Sequence, residues 1–270
     1  MFMPVITKIT RQKKNLDRYN IYLDEAYAFS VDESVLIQHQ LTKGKVLVDF
    51  EMDDMIYEDE VRKAFSAALN YLSYRMRSEQ EVKKKLLDVG YGEAVALEAI
   101  KKLHDYNYIN DEAFSKALLS TEKNSSKKGP NAIRQSLKQK GIDEETRQQT
   151  LEGYTEQEQL EVAMALAEKV LRSSARLTPS QQKKKIQDLL ARKGFPFQIG
   201  KTVIQRLEDE FETDGWADKL ADQGEKAWIK ASSKYSGRER RQKVKQQLYG
   251  KGFPLDIIDA FIEQKEQEDG

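Results

Sequence analysis

The hydrophobic pattern of this 270-residue chain changes once, from a period of two near the N-terminus to helical spacing afterwards. In "PVITKITRQ", residues 4–12, apolar and polar positions alternate, which is typical of a strand. "RYNIYL" and "AYAFSV" predict two more strands, because only "DE" separates them. "DESVLIQHQL" predicts a short helix capped by Asp32, and "GKVLVDF" predicts a return to a strand. We therefore expect a small antiparallel sheet in this region.

From about residue 57 the spacing is helical, and one motif returns four times at intervals of 51, 53 and 58 residues. In this motif an apolar residue is followed by Leu four positions later, by Gly after four more, and then by a second apolar residue. The copies are Val82, Leu86, Gly90 and Tyr91; Ile133, Leu137, Gly141 and Ile142; Ile186, Leu190, Gly194 and Phe195; and Val244, Leu248, Gly252 and Phe253. Self-similarity at such a period predicts a repeat array.

The motif predicts the end of a helix. Gly just beyond a helix adopts the left-handed conformation without steric cost, and the apolar residue after it folds back onto the Leu, as in a Schellman motif. The string KGFP occurs at residues 193–196 and 251–254, where Pro196 and Pro254 suit the first turn of the next helix. Asp143 holds that place in the second copy and is expected to cap. We interpret KGFP as structural punctuation, not as a binding signature.

An amphipathic segment precedes and another follows each Gly-terminated helix, so each unit contains three helices. Capping-box pairs predict several helix starts: Ser78 with Glu81, Thr155 with Glu158, Thr178 with Gln181, and Ser236 with Glu239. The predicted fold is mainly α, a tandem array of four three-helix, helix-turn-helix-like repeats preceded by a small antiparallel β N-terminal domain. The predicted boundaries are 1–55 for that domain and 56–110, 111–154, 155–212 and 213–270 for the repeats.

Charge is balanced over the whole chain but not within the repeats. Lys plus Arg and Asp plus Glu both number 45. In the last three repeats the second helices are basic, with net charges of +5, +4 and +5 over residues 127–140, 183–193 and 238–251. The third helices of these repeats carry −5, −2 and −5 over 142–158, 195–212 and 253–270. One interpretation is that opposite faces screen each other. The other is that the runs at 83–85, 183–185 and 238–241 bind phosphates or an acidic partner.

A three-helix unit also invites comparison with helix-turn-helix proteins that bind duplex DNA. Their last helix enters the major groove between phosphates and is basic or polar. Here the helix in that position is the acidic one, which disfavours sequence-specific duplex binding through it.

Enzyme, metal and membrane signatures are absent from the sequence. It has no cysteine, only His39 and His104 as histidines, and no P-loop, G-x-G-x-x-G or H-E-x-x-H motif, so we predict no catalytic residue, cofactor or metal. The chain lacks an apolar run of transmembrane length, and the lack of cysteine fits a cytoplasmic location. Trp216 and Trp228 are expected in the core of the fourth repeat, with base stacking as the alternative.

Three segments carry a resemblance to a known family: "YLSYRMRSEQEVKKKLLDVGY" at 71–91, "YINDEAFSKALL" at 108–119 and "KKGPNAIRQSLKQKGI" at 127–142. Together they resemble the RecX family of recombination regulators over residues 60–210. The resemblance implies a non-enzymatic modulator of the RecA recombinase, built of tandem three-helix units. It also implies that the protein lies along the groove of the RecA–DNA filament and suppresses its assembly, ATPase activity and strand exchange.

The expected partners are RecA and the RecA–DNA filament, bound by a monomer. A protein that binds DNA directly without RecA is the alternative, and a general scaffold for other proteins is a third hypothesis. Arg75 and Arg77 are also candidates for a local clamp between helices. The candidate contact residues come from the basic bands: Arg75, Arg77, Lys127, Lys128, Arg134, Lys138, Lys183, Lys184, Lys185, Arg238, Arg240 and Arg241.

Overall fold

The structure is a computed structural model that describes residues 4–211 and 215–269. It begins with a three-stranded antiparallel sheet in the order β1-β2-β3, formed by Ile6–Arg11, Arg18–Leu23 and Ala26–Asp32. Helix α1, Glu33–Gln38, follows directly, and the Asp32 carboxylate accepts a hydrogen bond from the Ser34 backbone N–H at 3.1 Å. The predicted sheet and the predicted cap are confirmed.

The strand predicted at "GKVLVDF" is wrong. In the described chain this segment contributes only an isolated bridge between Val5 and Val46, and helix α2 already begins at Asp49. Asp49 and Glu51 occupy the first turn of α2, where the helix dipole favours negative charge. Because α2 extends from Asp49 to Leu72, it continues through residue 55, which was the predicted end of the N-terminal domain.

The helices of the array are α2 Asp49–Leu72, α3 Glu79–Val89 and α4 Glu93–Asp105; α5 Asp111–Asn124, α6 Pro130–Gln139 and α7 Glu144–Glu152; α8 Glu156–Arg172, α9 Pro179–Lys193 and α10 Phe197–Arg206; and α11 Trp216–Ser232, α12 Gly237–Gly250 and α13 Leu255–Asp269. A short 3₁₀ turn, Glu208–Glu210, follows α10. These triplets confirm the predicted class, a mainly helical chain of three-helix repeats behind a small sheet.

All four Gly motifs form the predicted helix stops. Gly90, Gly141, Gly194 and Gly252 have φ between 79° and 104°. In the third copy the Phe195 N–H donates to the Leu190 carbonyl at 3.0 Å and the Gly194 N–H donates to the Ala191 carbonyl at 2.9 Å, which is the Schellman pattern. The other copies repeat both bonds.

Two details of the predicted helix starts need correction. The capping boxes of Ser78, Thr155 and Thr178 are present, but Ser236 makes no side-chain cap bond, because Gly237 has a φ of 50° and departs from the helical path. Pro196 precedes α10 as its N-cap residue instead of lying in its first turn. Asp143 caps as predicted, accepting the Thr146 N–H at 2.9 Å.

The chain divides into two compact units. Unit 1 comprises the residues up to Lys116 together with Leu137–Thr146, and unit 2 comprises Ala117–Ser136 together with the residues from Arg147 onward. In unit 1, helix α2 serves two cores, because Met55 packs under the sheet while Val61, Ala64 and Ala68 pack in the first repeat. In unit 2, the third and fourth repeats each have their own hydrophobic core.

A buried carboxylate fastens the sheet to α2. Asp59 is 2% exposed and accepts hydrogen bonds from the Arg18 guanidinium at 2.7 Å and from the Asp32 backbone N–H at 2.9 Å. Lys63 lies 2.8 Å away on the next turn. Burial alone would raise the pKa of Asp59, but these bonds outweigh it and the pKa is lowered. The ion pair therefore fixes the sheet on the helix that begins the array.

Successive repeats meet at their glycine caps, and we call each such contact a junction. At the Gly194 junction in unit 2, the Gly129 N–H donates to the Lys193 carbonyl at 2.7 Å and the Asn131 N–H donates to the Gly194 carbonyl at 3.0 Å. The N-terminus of α6 thus satisfies carbonyls that the end of α9 leaves open. A Cβ on Gly129 would lie 2.5 Å from the Gly194 backbone, so this contact requires glycine.

The other two junctions use hydroxyl groups. At the Gly252 junction in unit 2, the Thr178 hydroxyl that caps α9 also donates to the Lys251 carbonyl. At the Gly141 junction in unit 1, the Ser78 hydroxyl that caps α3 donates to the Lys140 carbonyl at 2.6 Å. In both, one hydroxyl serves a helix start and the end of the next repeat's second helix.

Candidate partner-binding surface

The candidate basic residues lie on or just before the second helices α3, α6, α9 and α12. All four of these helices end at a glycine cap, and the starts of α3 and α9 are held by capping boxes. The structure separates the candidates into residues held by partners within the chain and residues whose side chains face solvent.

Three of the cations pack on the first helix of their own repeat. The Arg77 guanidinium lies 4.1 Å from the Tyr71 ring centroid. The Arg240 guanidinium lies 4.0 Å from the Trp228 ring centroid. The Lys128 ammonium donates to Glu122 at 2.7 Å. A cation over an aromatic face, or paired with a half-buried acid, stabilises the repeat itself. Arg77 thus contacts the preceding helix, but through the Tyr71 ring and not through the pairing with a nearby acid that the local-clamp alternative expected.

Two further cations pair with the acidic side of their own repeat. Lys183 donates to Glu208 at 2.7 Å, and Arg241 donates to Glu266 at 3.1 Å. Both occupy the same place in the repeat, three residues before the apolar residue that opens the motif. The interpretation that opposite charges screen each other is therefore correct at this position.

Arg75 belongs to the Gly141 junction. It donates to Glu81 at 2.9 Å, and Lys140 donates to the same carboxylate at 2.8 Å. Burial of Glu81 favours its neutral form, but the hydrogen bonds from Arg75, Lys140 and the Ser78 backbone more than offset this and lower the pKa of Glu81 to about 2. Arg75 thus serves the local clamp that was its alternative role.

The remaining candidates are exposed. Five of them make no ion pair and no side-chain hydrogen bond anywhere in residues 4–211 and 215–269: Lys127, Lys138, Lys184, Lys185 and Arg238. Arg134 is also exposed on α6. Lys184 and Lys185 are neighbours on α9 and share their face with Arg192, a cation that the sequence interpretation did not single out. The five free cations are available to an outside partner at no cost in internal ion pairs.

The two tryptophans belong to the fourth repeat, as predicted. Trp228 is 4% exposed, and the half-buried Trp216 lies 5.7 Å from the Phe253 ring. Base stacking needs an accessible ring face, so the buried Trp228 cannot provide it.

Two exposed apolar residues were missed. Phe197 is 79% exposed and Leu255 is 48% exposed, each directly after a KGFP string. The KGFP pattern specifies a helix boundary, and the prediction made from it stops one residue short of Phe197 and Leu255. The sequence does contain a signal for them: the first residue of the third helix is Glu in the first two repeats and apolar in the last two.

Within the described ranges, no three His, Cys, Asp or Glu side chains converge as a metal site would require. None of the described helices combines the length and the apolar character needed to cross a membrane.

Comparison with known proteins shows to which family the chain belongs. Residues 4–48 match the "Regulatory protein RecX N-terminal domain", 64–103 the "first three-helix domain" and 110–151 the "second three-helix domain" of RecX. The "third three-helix domain" matches twice, at 156–204 and again at 217–262. Regulatory protein RecX of Bacillus velezensis is 42% identical over 265 residues, which cover 98% of this chain and all of that protein. The chain belongs to the RecX family.

Other RecX proteins agree with this. Regulatory protein RecX of Bacillus subtilis is 41% identical over 98% of the chain and its own whole length. A crystal structure of regulatory protein RecX superposes with a TM-score of 0.66 at 38% identity, covering 75% of this chain and 99% of that one. The crystal structure of RecX from Lactobacillus salivarius gives 0.54 at 37% identity, with 56% and 98% covered.

Membership of the RecX family decides the broad function. RecX proteins are non-enzymatic regulators that inhibit the activity of the RecA filament. The predicted regulatory role and the prediction that the protein is not an enzyme are therefore confirmed. An interaction with RecA is implied by the family. The domain boundaries and the individual contact residues stay predictions.

Proposed function

We propose that this RecX protein acts in the cytoplasm as a monomer, and that its second helices bind the RecA–DNA filament across neighbouring subunits. By bridging subunits, the array hinders filament assembly, ATPase activity and strand exchange. The observation that carries this proposal is the set of five exposed cations without internal partners, Lys127, Lys138, Lys184, Lys185 and Arg238. They are distributed over three repeats, so several contacts are available at once.

Linked weak contacts suit such a surface. Each exposed cation contributes little alone, because surface ion pairs are worth about 0 to 1 kcal/mol. When contacts are linked along one chain, the later ones form at high effective concentration, and the total affinity exceeds that of any single repeat. An array of similar repeats is well matched to a filament of identical subunits.

The acids that lie beside the second helices favour a protein partner over a bare phosphate backbone. Glu208 and Glu266 lie beside the second-helix cations Lys183 and Arg241 and neutralise them. A DNA duplex approaching these helices would meet carboxylates as well as cations. An acidic protein surface can instead contact the free cations alone.

Charge reversal on α9 tests the proposal. In the double variant Lys184→Glu, Lys185→Glu we expect inhibition of RecA's DNA-dependent ATPase to require about tenfold more protein, since two attractive contacts become repulsive. The matched control reverses Lys13 and Lys14, an adjacent exposed pair between β1 and β2. Equal loss in both variants would show that total charge, not the α9 surface, controls inhibition.

An excess of DNA separates the proposal from direct DNA binding. If the protein acts on the filament, its inhibition of the ATPase persists when DNA is in excess. A protein that competes for DNA loses its effect under these conditions. It would also show RecA-independent DNA affinity that falls with salt, by about 0.7 to 0.9 in log–log slope for each phosphate neutralised.

A further inference from the structure

The first residue of the third helix differs between the two halves of the array. Helices α4 and α7 begin with Glu93 and Glu144, and a carboxylate there is stabilised by the helix dipole. Helices α10 and α13 begin with Phe197 and Leu255, whose side chains are 79% and 48% exposed. The third and fourth repeats therefore replace a stabilising acid by an apolar side chain in water. Such a local conflict is expected at functional surfaces.

An exposed face of the second helix carries a depression in both repeats. In the fourth repeat, Leu255 and the 62% exposed Tyr249 line one groove together with Gln242, Lys245 and Gln246. In the third repeat, the positions that correspond to Gln242, Gln246 and Tyr249 are Lys184, Asp188 and Ala191, which line a depression on α9. The exposed aromatic side chain is Phe197 in the third repeat, whereas in the fourth repeat it is Tyr249, beside the smaller Leu255. Two successive repeats thus offer an apolar contact at equivalent places.

The groove on α12 favours a protein over nucleic acid. Its lysine, Lys245, donates to both oxygens of Asp259, at 2.8 and 2.6 Å, and is not available to a phosphate. Gln242 and Gln246 are uncharged, so none of the side chains that line this groove is a free cation for a phosphate. The partner surface that would fit here is an apolar pocket of a protein, with carboxylates at the positions that face Lys184 and Lys185 on α9.

We infer that Phe197 and Leu255, with Tyr249 beside Leu255, are anchor residues that insert into equivalent apolar pockets of consecutive subunits in the filament. This rests on the proposed function and deepens it, because a partner that repeats its surface is the one that two equivalent anchors can use together. The match of one RecX domain description to both repeats supports the equivalence. The exposed cations of α9 then position the surface, and the apolar anchors supply affinity.

The test converts each anchor into the residue that the first two repeats already have. Full-length Phe197→Glu and Leu255→Glu should fold, since Glu93 and Glu144 occupy this position in α4 and α7, and unchanged melting temperatures check this. Binding to RecA filaments on single-stranded DNA should weaken about tenfold for each variant and about 100-fold for the double variant, as burial of one such side chain implies. The control is Phe50→Glu, a 73% exposed residue in the first turn of α2.

The outcomes separate this inference from the proposed function. If the wild-type protein fails to bind or inhibit RecA filaments, the proposed function is wrong. If it inhibits them while the double variant binds as tightly as the wild type, the anchors are wrong and the function stands. An equal loss of affinity for single-stranded DNA without RecA would assign the anchors to nucleic acid. A loss confined to self-association in sedimentation would assign them to a second copy of the chain. Either result overturns the inference.

Discussion

Gly90 and Gly194 end their helices in the same way but stand in different surroundings. Both have positive φ, 104° and 84°, and both are followed by an aromatic residue that folds back. A Cβ on Gly90 would meet nothing within 4 Å, whereas a Cβ on Gly194 would lie 2.6 Å from that of Ala132 and overlap the Ala132 backbone. In the first repeat the motif therefore ends a helix, whereas in the third repeat it ends a helix and also packs against Ala132 of the preceding repeat.

The residue before each glycine follows the same division. At the three junctions it is lysine: Lys140, Lys193 and Lys251. The Lys193 ammonium reaches across to the Ser126 carbonyl at 2.8 Å. In the first repeat this residue is Val89, which is 54% exposed. The lysine of KGFP is therefore part of the junction, although the helix stop itself does not need it.

The largest expected effect comes from adding one methyl group at the two glycines. Gly90→Ala should lower the free energy of unfolding by about 1 to 2 kcal/mol, the cost of a left-handed L-residue. Gly194→Ala adds overlap with a backbone that cannot yield cheaply, and we expect a total of about 3 kcal/mol or more. Urea denaturation followed by far-UV circular dichroism measures both. Equal losses would contradict the assigned difference between an open cap and a junction.

A smaller effect is expected from the hydroxyl of the Gly252 junction. Thr178→Val removes the cap bond to the Gln181 N–H and the bond to the Lys251 carbonyl, for a loss of about 2 kcal/mol. Thr155→Val is the matched control, because Thr155 forms the same capping box on α8 without a junction bond, and should cost about 1 kcal/mol.

A second control is Ser236→Ala, which should change the free energy of unfolding by less than about 0.5 kcal/mol, because Ser236 makes no side-chain cap bond. If Thr178→Val and Thr155→Val had the same midpoint, the bond to Lys251 would contribute nothing.

The helix stops were predictable because they are local, and the junctions were not. Leu190, Gly194 and Phe195 lie within six residues, so their spacing alone predicts the cap. The contact of Gly194 with Ala132 joins residues that are distant in sequence, and no pattern within either segment encodes it. The strand predicted at "GKVLVDF" was wrong, because only Val46 forms a bridge, with Val5, and helix α2 already begins at Asp49.

The sequence shows that the second helices of the last three repeats are basic, but it does not show which individual cations have partners within the chain. Lys183 and Lys184 are adjacent, yet Lys183 is held by Glu208 and Lys184 is exposed. One helical step rotates a side chain by about 100°, and so a neighbour's partner is out of reach. Net charge per helix therefore predicts that a surface is basic, while the cations without partners are identified only once the positions of the acids that follow in the chain are known.

The smallest expected effect concerns the Gly141 junction, where an ion pair of Lys140 with Glu81 accompanies the hydroxyl bond from Ser78. The pKa of Glu81 is lowered from 4.5 to about 2. A carboxylate with a lowered pKa stabilises the folded state above its unfolded pKa, and this stabilisation is lost as the pH falls through the folded value. Stability of the wild-type protein should therefore decline between about pH 4.5 and about pH 2. The effect is small, because the surrounding solvent screens this partly exposed group.

Glu81→Gln isolates this contribution. The variant keeps the side-chain shape but cannot ionise, so it should be less stable than the wild type near pH 7 and should approach it near pH 2. Urea midpoints measured at both pH values give the comparison, and a constant difference between the two proteins would remove the assigned role of the ionised carboxylate. Convergence would show that the Gly141 junction depends on charge, whereas the Gly194 junction depends on glycine and backbone bonds that do not titrate.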